Sequence, residues 1–120
     1  MDKGLVGDQL AEILEDYSEH VKDVTEKTIQ ATAKESAAKL RNDSPKKSGA
    51  YAKGWATKKN RDGSVTVYNK DHYQLTHLLE NGHVVRNKKG TYGRTNGIKH
   101  IAPVEEWANN EVVERITREL

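Results

Sequence analysis

Four of the five histidines, His72, His77, His83 and His100, fall in one stretch, with Glu80 between His77 and His83. Imidazole nitrogens and a carboxylate are groups that zinc takes, in sets of about four around a tetrahedron. His77 and Glu80 are three residues apart, which places them on the same side of a helix. His83, however, follows Gly82, where that helix is expected to stop, and no His-Glu-x-x-His run is present. The spacing therefore builds no metal centre, and no metal ligand or cofactor is expected. Nucleophilic chemistry has no better footing. The chain has no cysteine, and no serine sits in a Gly-x-Ser-x-Gly elbow. The carboxylates of the two ends look like solvated helix faces rather than a catalytic pair. The glycines after Lys89 match neither a phosphate-binding loop nor a dinucleotide fingerprint. No catalytic residue is expected.

A basic segment is the stronger lead. Val84 to Gly97 is polar and glycine-rich and is read as a loop, with Arg86, Lys88, Lys89 and Arg94 around Tyr92. Such a loop suits weak phosphate contact with DNA inside a larger structure or ordering against a protein on assembly, with a plain mobile loop as the alternative, and Lys46, Lys47, Lys58, Lys59 and Arg61 would add to its field. No motif that reads base edges is present. Residues 43–102 hold 12 Lys/Arg against 4 Asp/Glu, a local charge of +8, whereas residues 1–42 and 103–120 carry −3 each. This partition suits a polyanion partner or like subunits meeting head to tail, and a solvated surface is the plain alternative. A small stand-alone nucleic-acid-binding protein is the second functional reading of the same residues.

The elements that position these groups follow from the pattern of apolar residues. The segment from Tyr73 to Asn81 is expected to be a short helix, capped by Asp71 with Gln74 three residues on, and ended by Gly82. Leu75, Leu78 and Leu79 share a face of it. Residues 8–42 are expected to form one long helix, because Leu10, Leu14, Tyr17, Val21, Val24, Thr28, Ala31 and Ala38 recur at spacings of three and four. The first half of that stripe is well furnished, and the second half is too small and polar to drive packing alone. A break near Thr28 is the alternative. Residues 43–50 are a connector around Pro45. Tyr51–Lys59 is expected to be a strand, Asn60-Arg-Asp-Gly63 a hairpin turn and Ser64–Asn69 the return strand, with a third extended segment at Ile98–Ala102. A last helix from Pro103 carries Val104, Trp107, Ala108, Val112, Ile116 and Leu120 toward the sheet.

With 34% hydrophobic residues, no phenylalanine and a mean hydropathy of −0.91, one domain of 120 residues has a thin core. Part of the long helix is therefore expected to project or to lie against another subunit. The first eight residues show no apolar core of a secretory signal, and no apolar run approaches the roughly 18 residues of a membrane span. A protein made in the cytoplasm, with no membrane contact, is expected.

Pro45-Lys-Lys-Ser-Gly49, Val65-Thr-Val-Tyr68, Tyr73, His77-Leu-Leu-Glu-Asn-Gly-His83 and His100-Ile-Ala-Pro103 together resemble the head–tail joining proteins of long-tailed bacteriophages, also called neck or tail-completion proteins. The resemblance spans Pro45 to Trp107. It implies an α+β fold: a long N-terminal helix and a C-terminal helix packed on a small antiparallel β-sheet. It also implies a non-enzymatic virion part, a sixfold or twelvefold ring between the head connector and the tail, assembled in the host cytoplasm and surrounding the DNA channel. By match, Leu79, Glu80, Gly82, His100 and Pro103 take signature positions that are structural. The chain departs from the pattern at Lys99-His100, where many relatives carry Arg-Pro.

Overall fold

A computed structural model describes residues 3–46, 49–87 and 90–120. The chain forms α1 (Lys3–Asp43), α2 (Ala50–Lys53), β1 (Trp55–Lys59), β2 (Val65–Asn69), a 3-10 turn (Tyr73–Leu75), α3 (Thr76–Asn81), β3 (Gly82–Asn87), β4 (Gly90–Asn96) and α4 (Ile101–Glu119). This is an α+β fold, with two antiparallel hairpins rather than one sheet.

The helix α1 runs 41 residues without a break, which at 1.5 Å per residue is about 60 Å. It gives the molecule extents of 87 × 25 × 21 Å. The half that packs is the one with small side chains. Thr32, Ala33, Ser36, Ala37 and Leu40 are buried, whereas Leu10, Ile13, Leu14 and Tyr17 are exposed. Small residues let neighbouring elements approach the helix axis closely, so the region that looks poorest in sequence becomes the centre of the fold. Tyr51, Trp55 and Val104 close the core over Ala37 and Leu40, with Val67, Leu79 and Ile101 around them.

The helix α4 packs along α1 rather than chiefly on a sheet. The two run antiparallel: Lys39 Nζ lies 4.4 Å from the centre of the Trp107 ring, while Arg115 binds Thr32 and Glu35 farther back along α1. Val104 is buried, and Trp107, Ala108, Val112 and Ile116 are half-buried on this face. Leu120, the last residue of the expected stripe, is exposed. On its other side α1 meets the β1–β2 hairpin. That hairpin pairs Trp55 with Asn69 through Lys59 with Val65, and it turns at Asn60–Gly63 as the Asp-Gly step predicts. Asp62 accepts hydrogen bonds from the Ser64 hydroxyl and backbone N–H, which hold its carboxyl below the usual range.

Three segments differ from expectation. Tyr51 to Lys53 is a helical turn, not the start of a strand. The turn puts Tyr51 and Trp55 four apart on one side, so both enter the core, whereas strict alternation would also have aimed Lys53 inward. Ile98–Ala102 is no strand: its last two residues open α4, two residues before the expected start at Pro103. The basic segment is not an open loop, because its backbone forms the β3–β4 hairpin, with an irregularity between Val85 and Arg86.

Trp55 is also a lock between elements. Its indole N–H donates to Ser44 Oγ (2.8 Å), and its carbonyl accepts from the Arg41 guanidinium, both groups at the end of α1. The Trp55→Phe variant should lose about 1–2 kcal/mol of unfolding free energy, since it keeps most of the packing but drops the indole bond. A urea melt of the variant beside the Ser44→Ala variant checks this, with the two losses expected not to add.

Candidate functional site

Leu79, Glu80, Gly82, His100 and Pro103 converge where α3 ends and α4 begins. Glu80 sits in the last turn of α3 and is buried. Its Oε1 accepts from the backbone N–H groups of His100 (2.7 Å) and Ile101 (2.8 Å), and its Oε2 accepts from Ala102 N–H (2.8 Å). The first turn of any helix leaves its N–H groups without intrahelical partners. Here one carboxylate from a distant helix takes three in succession, and the fourth position is Pro103, which has no N–H to leave unpaired. The positive end of the helix dipole favours the negative charge at this point. Burial would raise the Glu80 pKa, but the three N–H bonds and neighbouring His100 outweigh it and hold the carboxyl below its usual range.

His100 is 1% exposed and completes the knot. Its Nδ1 lies 2.6 Å from the Ile98 carbonyl oxygen and 2.9 Å from Glu80 Oε1. Both neighbours are acceptors, so Nδ1 carries the hydrogen. Nε2 then accepts from the Tyr51 hydroxyl at 2.8 Å, an assignment made from the hydrogen-bond network. Burial and the charge on Glu80 push the Tyr51 phenol up to about 12. Tyr51, Trp55 and His100 also meet edge to face, with ring centres 5.6–6.4 Å apart.

Gly82 and Gly97 let the chain cross itself beside the knot. Gly82 has φ 80° and ψ 172°, and a Cβ on it would run into the Thr95 carbonyl oxygen. A Cβ on Gly97 would run into the Glu80 carbonyl oxygen. The resulting close approach lets Ile98 N–H bond the Leu79 carbonyl (2.8 Å), which brings α4 back to α3. The fold thus gathers Leu79, Glu80, Gly82, His100 and Pro103 into a joint between elements. Asn69, at the end of β2, is buried as well, with no signal for it in the sequence. Its amide donates to the Tyr51 carbonyl (2.7 Å) and accepts His72 N–H (2.9 Å). This replaces the expected Asp71 cap: the cap position is His72, and no side chain caps the turn from within. Asn69 has a better line to the free N–H because it ends β2, three residues before it.

Arg94 is exposed on β4 and donates to the Asn81 carbonyl (3.1 Å), and Lys99 also reaches Asn81, at its side-chain oxygen. Arg86 lies on β3 and Tyr92 on β4 by backbone alone, and Lys88 and Lys89 lie outside the described residues. Among the described residues no group of three or more His, Asp or Glu could hold a metal ion. Among them, too, no helix is long and apolar enough to cross a membrane.

Every described buried side-chain polar atom of the joint is satisfied, and a helical rod projects from it. Residues 8–82 match the family described as "Bacteriophage HK97-gp10, putative tail-component", and the chain belongs to that family. It is a structural phage tail component. No curated protein and no solved structure matches the chain.

Proposed function

We propose that this chain is a neck protein: copies of it form a ring, hexameric or dodecameric, that joins the DNA-filled head at its connector to the tail. The observation that carries this reading is the arm of α1. A molecule 87 Å long keeps its core at one end and leaves Leu10, Ile13, Leu14 and Tyr17 bare at the other. Apolar side chains in that number and spacing are suited to a protein neighbour. A ring of heterologous contacts covers such an arm and sets acidic ends against a basic middle. The excess of positive charge in residues 43–102 then faces either DNA leaving the head, in weak contact blind to sequence, or the acidic surface of the next subunit.

Deletion of the gene should give filled heads and finished tails that do not join, and purified particles should carry the protein at the neck. Electron microscopy of the lysate and antibody labelling of particles read both outcomes. Normal joined particles from the deletion, or finished particles without the protein, would overturn the proposal.

A further inference from the structure

Two largely apolar surfaces of this molecule have no partner within the described chain. The first is the arm. Leu10, Ile13, Leu14 and Tyr17 are 56%, 64%, 59% and 59% exposed and follow the i, i+3, i+4, i+7 spacing by which one helix anchors in the groove of another protein. The acidic residues of the same stretch, Glu12, Glu15, Asp16, Glu19 and Asp23, fall on the opposite side of the helix at 100° per residue. The second is a groove of about 330 Å³ between α1, the β1–β2 hairpin and α4, floored by Leu40, Trp55 and Val104 and walled by Val65, Ala108, Asn109 and Glu105.

The arm cannot reach the groove of its own chain. Leu14 and Leu40 are part of one unbroken helix and lie about 39 Å apart along it. The occupant must come from another molecule, and charge selects which surface it seeks. Residues 10–24 hold one lysine against five acids, so two arms repel each other, while residues 43–102, which supply Trp55, Val65, Val67 and Ile101 to the groove, carry +8 against the single carboxylate, Glu105, on its wall. Lys59, the register partner of Val65 on the groove wall, is exposed at that edge.

We infer that the projecting half of α1 docks in the α1–β2–α4 groove of a second copy of this chain, with Leu10, Ile13, Leu14 and Tyr17 as anchors. The contact is heterologous, one arm and one groove per copy, so it propagates from copy to copy and closes when the rotation allows. Its closure into a ring rests on the neck reading above; the docking of arm into groove does not.

The absence of cysteine makes the test direct. Full-length Leu14→Cys and full-length Asn109→Cys are mixed under a mild oxidant, and the rate of covalent pairing is compared with Glu15→Cys mixed with Asn109→Cys. All three sites are exposed, so the fold should tolerate each change, and thermal melts verify this. Docking raises the local thiol concentration, so the Leu14 mixture should link on the order of tenfold faster than the Glu15 mixture. Adding Ile13→Asp to the Leu14→Cys chain should abolish the difference without moving its melting temperature. Equal rates for the two mixtures would overturn the inference. So would faster linking of Leu14→Cys with itself than with Asn109→Cys, which would mean arm paired with arm. Because isolated protein is used, the result stands apart from whether particles carry the protein at the neck.

Discussion

Replacing Glu80 with alanine should lower the unfolding free energy by about 3–5 kcal/mol. Loss of an ordinary helix cap costs about 0.5–2 kcal/mol, because one exposed N–H returns to water. Three N–H groups depend on Glu80, the carboxylate is buried, and its charge strengthens each bond. Removing it also takes an acceptor from His100 Nδ1. A domain of this size has only about 5–15 kcal/mol in total, so the variant would be close to unfolding at physiological temperature. The Glu80→Gln variant should be nearly as poor, since an amide NH2 placed toward Ala102 N–H sets donor against donor. Urea melts with unchanged m-values read the effect. A loss below about 1 kcal/mol would mean that water reaches the end of α4 and replaces the carboxylate.

The same carboxylate sets a pH limit. The folded Glu80 pKa lies below the ordinary 4.5, so near that pH the unfolded chain binds more protons than the folded one. The stabilisation is present above about 4.5 and is lost as pH falls through the folded value. Tyr51 sets the other limit with the opposite sign. Its phenol is raised from 10.0 to about 12, so its contribution is full below 10.0 and is lost as pH rises toward 12. Stability measured against pH should therefore show a shoulder at each end, the acid one absent in Glu80→Gln and the alkaline one absent in Tyr51→Phe.

Much of this joint was legible in the residues, though not in its wiring. Gly82 as a helix stop follows from the absence of a Cβ, and the Asp-Gly turn and both long helices follow from spacing. The spacing around Glu80 offers no such signal, and only the family resemblance marks it as structural. A carboxylate three residues after His77 invites a metal or a solvated face, and its true partners are backbone groups about twenty residues away that no pattern reveals. The boundary of α4 was hidden for the same reason: with Glu80 supplying the acceptors, a helix can begin at Ile101 with no capping side chain of its own. The second half of α1 misled in a different way. Hydrophobic stripes announce burial, but here Ala37 and Ser36 are buried because they are small, and the leucines of the arm are bare. A pattern shows which face wants covering and says nothing about whether the cover is in the same molecule. The β3–β4 hairpin is not legible in the residues, because glycines and cations lower strand propensity.

The chain crossing at Gly82 and Gly97 makes Gly82→Ala the second severe substitution, with an expected loss of about 2–4 kcal/mol. At φ 80° and ψ 172° the backbone occupies a region that residues with a Cβ rarely enter. The new methyl would also meet the Thr95 carbonyl oxygen and, at 2.8 Å, the Gly97 nitrogen, both backbone atoms with little room to yield. Gly90→Ala separates the two causes, since φ there is 136° but a Cβ would meet nothing within 4 Å. Its loss should be the smaller by about 1 kcal/mol or more, the difference being what the blocked approach costs. If the crossing is what holds Glu80 against α4, the damage must also pass through Glu80. Pushing the strands apart strains the Ile98–Leu79 bond and draws the carboxylate away from the helix end. The Gly82→Ala/Glu80→Ala pair should then cost at least 1 kcal/mol less than the sum of the single losses. Full additivity would instead mean that the crossing and the cap are independent, with the β3–β4 hairpin merely attached to the joint.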